Sequence, residues 1–463
     1  MNVIALDIPL LIGGLVALFW VRLFRPAYVF QIACQFVSTF WAQYSWGVSW
    51  SLGKLVPILA GTTVSGRPLR HGKLFLPFAV YVAVGGLLSA IFWKIPVGVE
   101  FAYGEGRSFV QLVNFAALVF ATIAFAQAVS DEEGVVLMWK ALVLLGLVHG
   151  LASVYQYVAS LSGLPLIGIS RAHGLTFEPG AAGDLAAFEA GGGITILRPG
   201  GLAGEPKTVA IVFGLVLLSG AAIQLPSIVT KWWRILARVS ILLSLIGLVG
   251  AFSTSVFVGL TAAYLLLIAS RMISLSRAIS IFLTLAGCVL LADYSLHWLG
   301  LPDLERLLTL RTLDRLSNSA ELDPVVQAAV SAMLQNPILF LFGTGNGGGS
   351  FRIMEVLGQR FELSLAPSIG LVDLLLEFGL LGTALLLTPF FVLTLLVVRK
   401  ARFRKDLLNT WPLVFLAVVG ISAMALMLTG AGIPLGYPLA VGSILGAAQY
   451  PTPLRGSPQM GPR

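Results

Sequence analysis

Apolar residues run along this chain in blocks of about twenty, broken by short polar or Gly- and Pro-rich stretches, the length a helix needs to cross a bilayer. LFLPFAVYVAVGGLLSAIFW (74 to 93) and LVDLLLEFGLLGTALLLTPFFVLTLLVV (371 to 398) are two such blocks. The pattern predicts further spans near 108 to 129, 135 to 159, 207 to 225, 235 to 251, 254 to 270 and 279 to 297. The twenty-residue criterion gives about eleven to thirteen helices in all, with residues 26 to 65 and the region after 430 ambiguous because Gly and Pro interrupt the runs. The expected fold is an all-α polytopic integral membrane protein, a single transmembrane domain over 1 to 450. The tail LRGSPQMGPR, within 451 to 463, is expected to be disordered and cytoplasmic.

The polar stretches sort into two kinds. GRPLRHGK (66 to 73), KWWR (231 to 234, then Arg238), RMISLSR (271 to 277) and RKARFRK (399 to 405) are basic, and the positive-inside rule assigns them to the cytoplasmic face. Two longer segments, 160 to 206 and 298 to 368, then fall outside as large external loops. Loops of that length are functional or disordered. The second opens with LPDLERLLTLRTLDRL, whose Leu spacing with Arg306, Arg311 and Arg315 on the other faces predicts an amphipathic helix. PVVQAAVSAMLQ, after Asp323, predicts another.

Composition excludes a soluble domain: of 463 residues 57% are hydrophobic and 11% charged. The stretch IALDIPLLIGGLVALFW lacks a basic leader and a small-residue cleavage site, so it is expected to be a first span rather than a signal peptide. A formal net charge of +8 raises nucleic acid as a partner, but the basic residues lie in short clusters between spans, where membrane orientation accounts for them. Cys34 and Cys288 both fall in predicted spans and imply neither a disulfide framework nor a metal site. With four histidines and no paired ligand spacing, no metal and no cofactor is expected.

Against this background one motif occurs twice. RAHGLTFEP (171 to 179) and RPGGLAGEP (198 to 206) share the form R-x-x-G-L-x-x-E-P. A loop turn explains Gly and Pro, but not the recurrence of Arg171 with Glu178 and Arg198 with Glu205. An Arg binds phosphate through two parallel charge-assisted hydrogen bonds, and a carboxylate nearby can take a hydroxyl proton or hold the Arg. GTGNGGGS (343 to 350) has glycines that let backbone pass close to a neighbour or a ligand, and amides near Gly345 and Asn346 that could meet a pyrophosphate. It lacks the Lys of a nucleotide-binding P-loop. Asp373 and Glu377, four residues apart, share one face of the returning span, where the alternatives are a functional pair and helix N-terminal acids. Asp293 and His297 fit an interfacial hydrogen bond, and His149 fits a packing role inside a span.

Three of these stretches together resemble the O-antigen polymerase and ligase superfamily, membrane glycosyltransferases that move glycans carried on undecaprenyl pyrophosphate. They are the R-x-x-G-L-x-x-E-P pair, LQNPILFLFGTGNG, similar to that family's NPLxGxGxG segment, and LLLEFGLLG (374 to 382), similar to its E-x-G-L-L-G helix. The resemblance implies metal-independent glycosyl transfer at the external face of a bacterial inner membrane, from a lipid-linked oligosaccharide. Membrane lipids and other polysaccharide assembly proteins are the implied partners. It further implies that Arg171, Arg198 and a third Arg from 306, 311 or 315 neutralise the pyrophosphate, and that Glu178, Glu205 or Glu377 takes the acceptor proton. Ser368 and Ile369 stand where ligases of the family carry His-Asn, and Glu321 stands near their upstream Arg, which points toward polymerisation over ligation. A proton-coupled transporter using Asp293, His297, Asp373 and Glu377 is the alternative from another class.

Overall fold

The computed structural model describes residues 3–5, 44–45, 49–50, 69–92, 107–168, 187–189, 195–197, 199–201, 206–222, 229–251, 253–270, scattered positions from 276 to 294, 324–345, 348–357, 369–403, 407–430 and 433–450. These form α1 (Leu76–Phe92, entered through a 3-10 turn at Gly72–Phe75), α2 (Arg107–Ala128), α3 (Glu132–Ser162), α4 (Pro206–Ala222), α5 (Lys231–Ala251) and α6 (Thr254–Ala269). There follow α7 (Pro324–Gln335), α8 (Pro337–Phe342), α9 (Gly349–Leu357), α10 (Gly370–Phe403), α11 (Leu407–Thr429) and α12 (Ile433–Gln449). Short strands pair β1 (Val3–Ala5) in parallel with β4 (Leu166–Gly168), and, antiparallel, β2 (Tyr44–Ser45) with β3 (Ser49–Trp50) and β5 (Ala187–Glu189) with β6 (Thr195–Leu197). Among the described residues four helices are long and apolar enough to cross a membrane: Glu132–Ser160, Lys231–Ala251, Gly370–Ala401 and Trp411–Thr429. Shorter apolar helices pack among them.

Local chemistry sets the helix ends. Asp131 caps α3 by accepting from the Gly134 amide at 2.9 Å, Glu132 and Glu133 complement its N-terminal dipole, and Gly163 ends it in the left-handed conformation. Asn336 caps α8 from the amides of Ile338 and Leu339, with Pro337 in the first turn.

Small residues bring the helices together, as they do where lipid removes the hydrophobic drive for association. Gly146 of α3 faces Ser240 and Ser244 of α5, and Gly150 faces Leu243. Gly442 and Gly446 of α12 do the same against Phe125 of α2 and Val129 just past its end. The core lies between α11, α12, α2 and α4, where Phe415, Phe213 and Phe125 are fully buried.

The two ends of this bundle differ in charge. At one, Lys400 donates to the Ala448 carbonyl at 2.7 Å and so caps α12, Trp411 donates to Glu132 at 3.2 Å, and Trp139 meets Trp233. His71 lies there too, facing Arg70 and Lys400. Described members of three basic clusters therefore share an end, while the Arg residues of RMISLSR lie outside the described residues. The other end holds the starts of α4 and α10 and the end of α11, where the Lys207 side chain lies against Gly430.

Candidate functional site

The site is best built from α10. Its first turns carry Asp373 and Glu377, both half-buried, and two residues after Glu377 the helix breaks at Gly379, φ 63 and ψ −176. That conformation is open essentially to glycine alone. The apolar pattern of 371 to 398 predicts an uninterrupted span, and hydropathy carries no signal for this break. Its cause is a second break: α8 ends at Gly343, φ 73 and ψ −176, and the two glycines lie back to back. A Cβ on Gly379 would stand 2.5 Å from the Gly343 nitrogen, the Leu341 oxygen and the Phe342 carbonyl carbon.

A helix break frees carbonyls, and inside a membrane bundle each needs a donor. Here Thr344 donates its amide to Leu376 O at 2.9 Å and its hydroxyl at 3.1 Å, and the Gly345 amide donates to Glu377 O at 2.9 Å. The Tyr81 hydroxyl of α1 lies 2.6 Å from Phe342 O and 3.1 Å from Phe378 O, serving both breaks at once. The Tyr81 ring lies on Gly382, where a Cβ would meet it at 2.5 Å, and Phe78, one turn earlier, packs edge-on against Phe378. Each glycine of the E-F-G-L-L-G stretch thus has a neighbour that needs its missing side chain.

The glycine-rich loop has the same explanation. Gly348 has no room for a Cβ beside the Thr344 carbonyl, and Gly349, which opens α9, packs on Leu376 and on Glu377 Cγ. Gly345 reaches inward to Gly85 in α1. Within the segment read as the second external loop, α7, α8 and α9 are seated against α10, with Gly345 against Gly85 of α1. The Gly345 amide, one of those that could meet a pyrophosphate, donates to α10, as does the Thr344 amide. Gly345 therefore fixes the loop, and Asn346 lies outside the described residues.

Asp373 faces Lys207, and Lys207 lies between α4, α10 and Gly430 of α11. The sequence signal for Lys207 is its place directly after Glu205-Pro206; reading the motif as ending at Pro misses it. Tyr81 and Gln156 were also missed, since a polar residue inside a span does not announce its partner.

Gln156 holds the second motif copy. Its carboxamide donates to Gly201 O at 3.0 Å and accepts from Gly201 N at 2.9 Å, all buried. Gly201 has φ 54, and Val209 and His149 close the space a Cβ would fill. Pro199 rests on Gly250, and Pro206 starts α4. Gly201, Pro199 and Pro206 of RPGGLAGEP thus have packing or backbone causes. Arg198, Glu205, the first copy with Arg171 and Glu178, and Arg311, Arg315, Asp293 and His297 all lie outside the described residues. Of the predicted site residues, those the structure brings together are Asp373, Glu377 and Gly345. Among the described residues no three His, Cys, Asp or Glu side chains gather as a metal site.

Compared with known proteins, the chain matches no protein-family model, and the comparison with curated proteins finds no match.

Proposed function

We propose that this protein is a polysaccharide polymerase of a bacterial inner membrane, transferring glycan from an undecaprenyl-pyrophosphate donor to a lipid-linked acceptor at the external face. The observation that carries the reading is the backbone pairing of its two family-like segments. LQNPILFLFGTGNG and LLLEFGLLG, distant in sequence, are joined through Thr344, Gly345 and the two glycine breaks. Glu377, Asp373 and Lys207 lie at that junction, on the end of the bundle away from the basic clusters. In this reading the basic end is cytoplasmic, the spans number about eleven to thirteen, and 160–206 and 298–368 face the periplasm.

The reaction balances without an external reductant or ion gradient. The acceptor hydroxyl oxygen attacks the donor's anomeric carbon, the bond to pyrophosphate breaks, and the pyrophosphate leaves carrying the electron pair. Glu377, or Glu178 or Glu205, takes the hydroxyl proton. Arg171, Arg198 and Arg311 or Arg315 neutralise the leaving group as its charge develops. Transfer to a different acceptor, the ligase-type reaction, uses the same parts.

A second reading, a proton-coupled transporter, is favoured by the paired helix breaks, since transporters build ion sites from unwound helices. Such sites expose carbonyls to the ion, whereas here the carbonyls of Leu376, Glu377, Phe378 and Phe342 already accept from Thr344, Gly345 and Tyr81.

Purified protein in liposomes given only a lipid-linked repeat unit should lengthen glycans with no ion gradient. Replacing the general base by Gln should slow elongation on the order of a hundredfold. Arg171→Lys and Arg198→Lys, which keep charge but lose the planar fork, should impair it at normal abundance. No elongation, together with substrate movement abolished by collapsing a proton gradient, would establish the transporter instead.

A further inference from the structure

We infer that the basic end of α3, α4 and α5 is a binding site for an anionic phospholipid, with Arg238 on the phosphate and the outer face of α5 against the acyl chains. The inference is independent of the proposed reaction and uses none of its residues.

A pocket of about 40 Å³ lies between these three helices, walled by Trp139, Val216, Ser219, Gly220 and Ile241, with Arg238 among its lining residues. Its size suits the phosphate–glycerol edge of a lipid and not a whole acyl chain. Arg238 is its cation, and more lie on the same helices: Lys231, Arg234 and Arg238 recur along the first two turns of α5, and Lys140 of α3 stands 5.2 Å from the centre of the Trp233 ring. Among the described residues no acidic side chain pairs with Lys231, Arg234 or Arg238.

Cations in the first turns of a helix oppose its dipole. Lys231 and Arg234 therefore weaken α5 in isolation; Arg234 Nε donates to the Val229 carbonyl at 3.3 Å, and a bound anion would offset the charge that remains. Membrane orientation alone requires positive charge on this side, but not a pocket beside it or this arrangement on the helix.

The apolar part of the ligand has a matching surface. Ile235, Val239, Leu242 and Ile246 are exposed at 41%, 41%, 55% and 50% and line up at helical spacing on one face of α5. By that spacing Arg238 sits between this stripe and the pocket, and Trp232, 74% exposed, flanks the stripe on the opposite side. Such a Trp is placed at headgroup depth in membrane proteins. Phosphate at Arg238, the glycerol edge at Ser219 and acyl chains along the stripe fit one diacyl anionic lipid.

The test is native mass spectrometry of the full-length protein released from vesicles of phosphatidylglycerol and phosphatidylcholine. Wild type should retain phosphatidylglycerol preferentially. Arg238→Gln should reduce retention about fivefold, the worth of one interfacial cation. Ser219→Leu, which fills the pocket and leaves every charge, should reduce it too, while Lys73→Gln at the same end should not. Unchanged retention in both pocket variants overturns the site. An equal loss in Lys73→Gln overturns it as well, by showing diffuse charge attraction. Displacement of the lipid by excess inorganic phosphate would assign the pocket to a free anion. Should Arg238→Gln fail to fold, Arg238→Lys combined with Ser219→Leu gives the same decision.

Discussion

Gly379→Ala tests the junction on which the site depends. The substitution adds one methyl group, and that carbon would stand 2.5 Å from three backbone atoms of the opposing break, Gly343 N, Leu341 O and Phe342 C. None is the end of a flexible side chain, so relief requires moving one helix end from the other. The backbone at φ 63 and ψ −176 adds conformational strain of about 1 to 3 kcal/mol, and inserting a methyl group into packed structure costs a similar about 1 to 3 kcal/mol. Together these predict a loss of roughly 2 to 6 kcal/mol. Gly163 supplies the control, since it has φ 72 but nothing within 4 Å of an added Cβ. Gly163→Ala therefore meets only the left-handed penalty of about 1 to 2 kcal/mol. Tryptophan-fluorescence melting of detergent-purified protein should show Gly379→Ala falling further than Gly163→Ala. Gly343→Ala combined with Gly379→Ala should lose less than the sum of the two, since each forces apart the same contact. Equal melting shifts for the Gly379 and Gly163 variants, or full additivity in the double variant, would refute the back-to-back glycine contact.

Tyr81→Phe removes the donor shared by Phe342 O and Phe378 O and should cost about 1 to 3 kcal/mol. Hydrogen exchange should quicken at the Thr344 and Gly345 amides, and unchanged exchange there would dissociate Tyr81 from the breaks. His71 is held below the ordinary histidine range, first by burial and then by the charges of Lys400 and Arg70. The unfolded chain therefore takes up the proton first, so His71 contributes stability above the ordinary histidine range that is lost as pH falls through it. His71→Gln should flatten the acid side of a melting-versus-pH curve, and an unchanged slope would contradict this. With Cys34 and Cys288 replaced by Ala, single cysteines from Leu185→Cys and Gln335→Cys should react with an impermeant thiol reagent in spheroplasts, and one from Arg402→Cys should not. The reverse pattern would invert the proposed orientation.

Much of the helical frame was legible as runs of apolar residues. The apolar runs near 108 to 129 and 254 to 270 are helical, as α2 at Arg107–Ala128 and α6 at Thr254–Ala269, and PVVQAAVSAMLQ is α7 from end to end. The signal is strong because such a run has to satisfy its own backbone inside a bilayer, and helix does so locally. Ends were legible where a cap is local, as at Asp131 and Asn336. The break at Gly379 was not, because its cause lies across the fold in Gly343 and a hydropathy window gives the same reading whether the backbone is helical or broken. Gln156 shows the same limit: its partner Gly201 is distant along the chain, and only the fold brings a side-chain amide onto that backbone.

The repeated motif changes meaning once its second copy is seen in part. Gly201 is required by a left-handed backbone clamped between Gln156 and Val209, and Pro206 by the start of α4, so two of the five shared letters have packing causes. Gln156 reads only the amide and carbonyl of Gly201, and this contact places no demand on Arg198 or Glu205. Their recurrence, with matched spacing, in Arg171 and Glu178 has no counterpart in that packing. Lys207 continues the second copy by two residues past Glu205 and faces Asp373, one turn before Glu377. The second copy thus leads by sequence, through Lys207, to the end of the bundle where the half-buried carboxylates of α10 lie; under the proposed reaction replacing Arg198 or Glu205 bears on chemistry, whereas the Gln156 contact makes replacing Gly201 bear on folding.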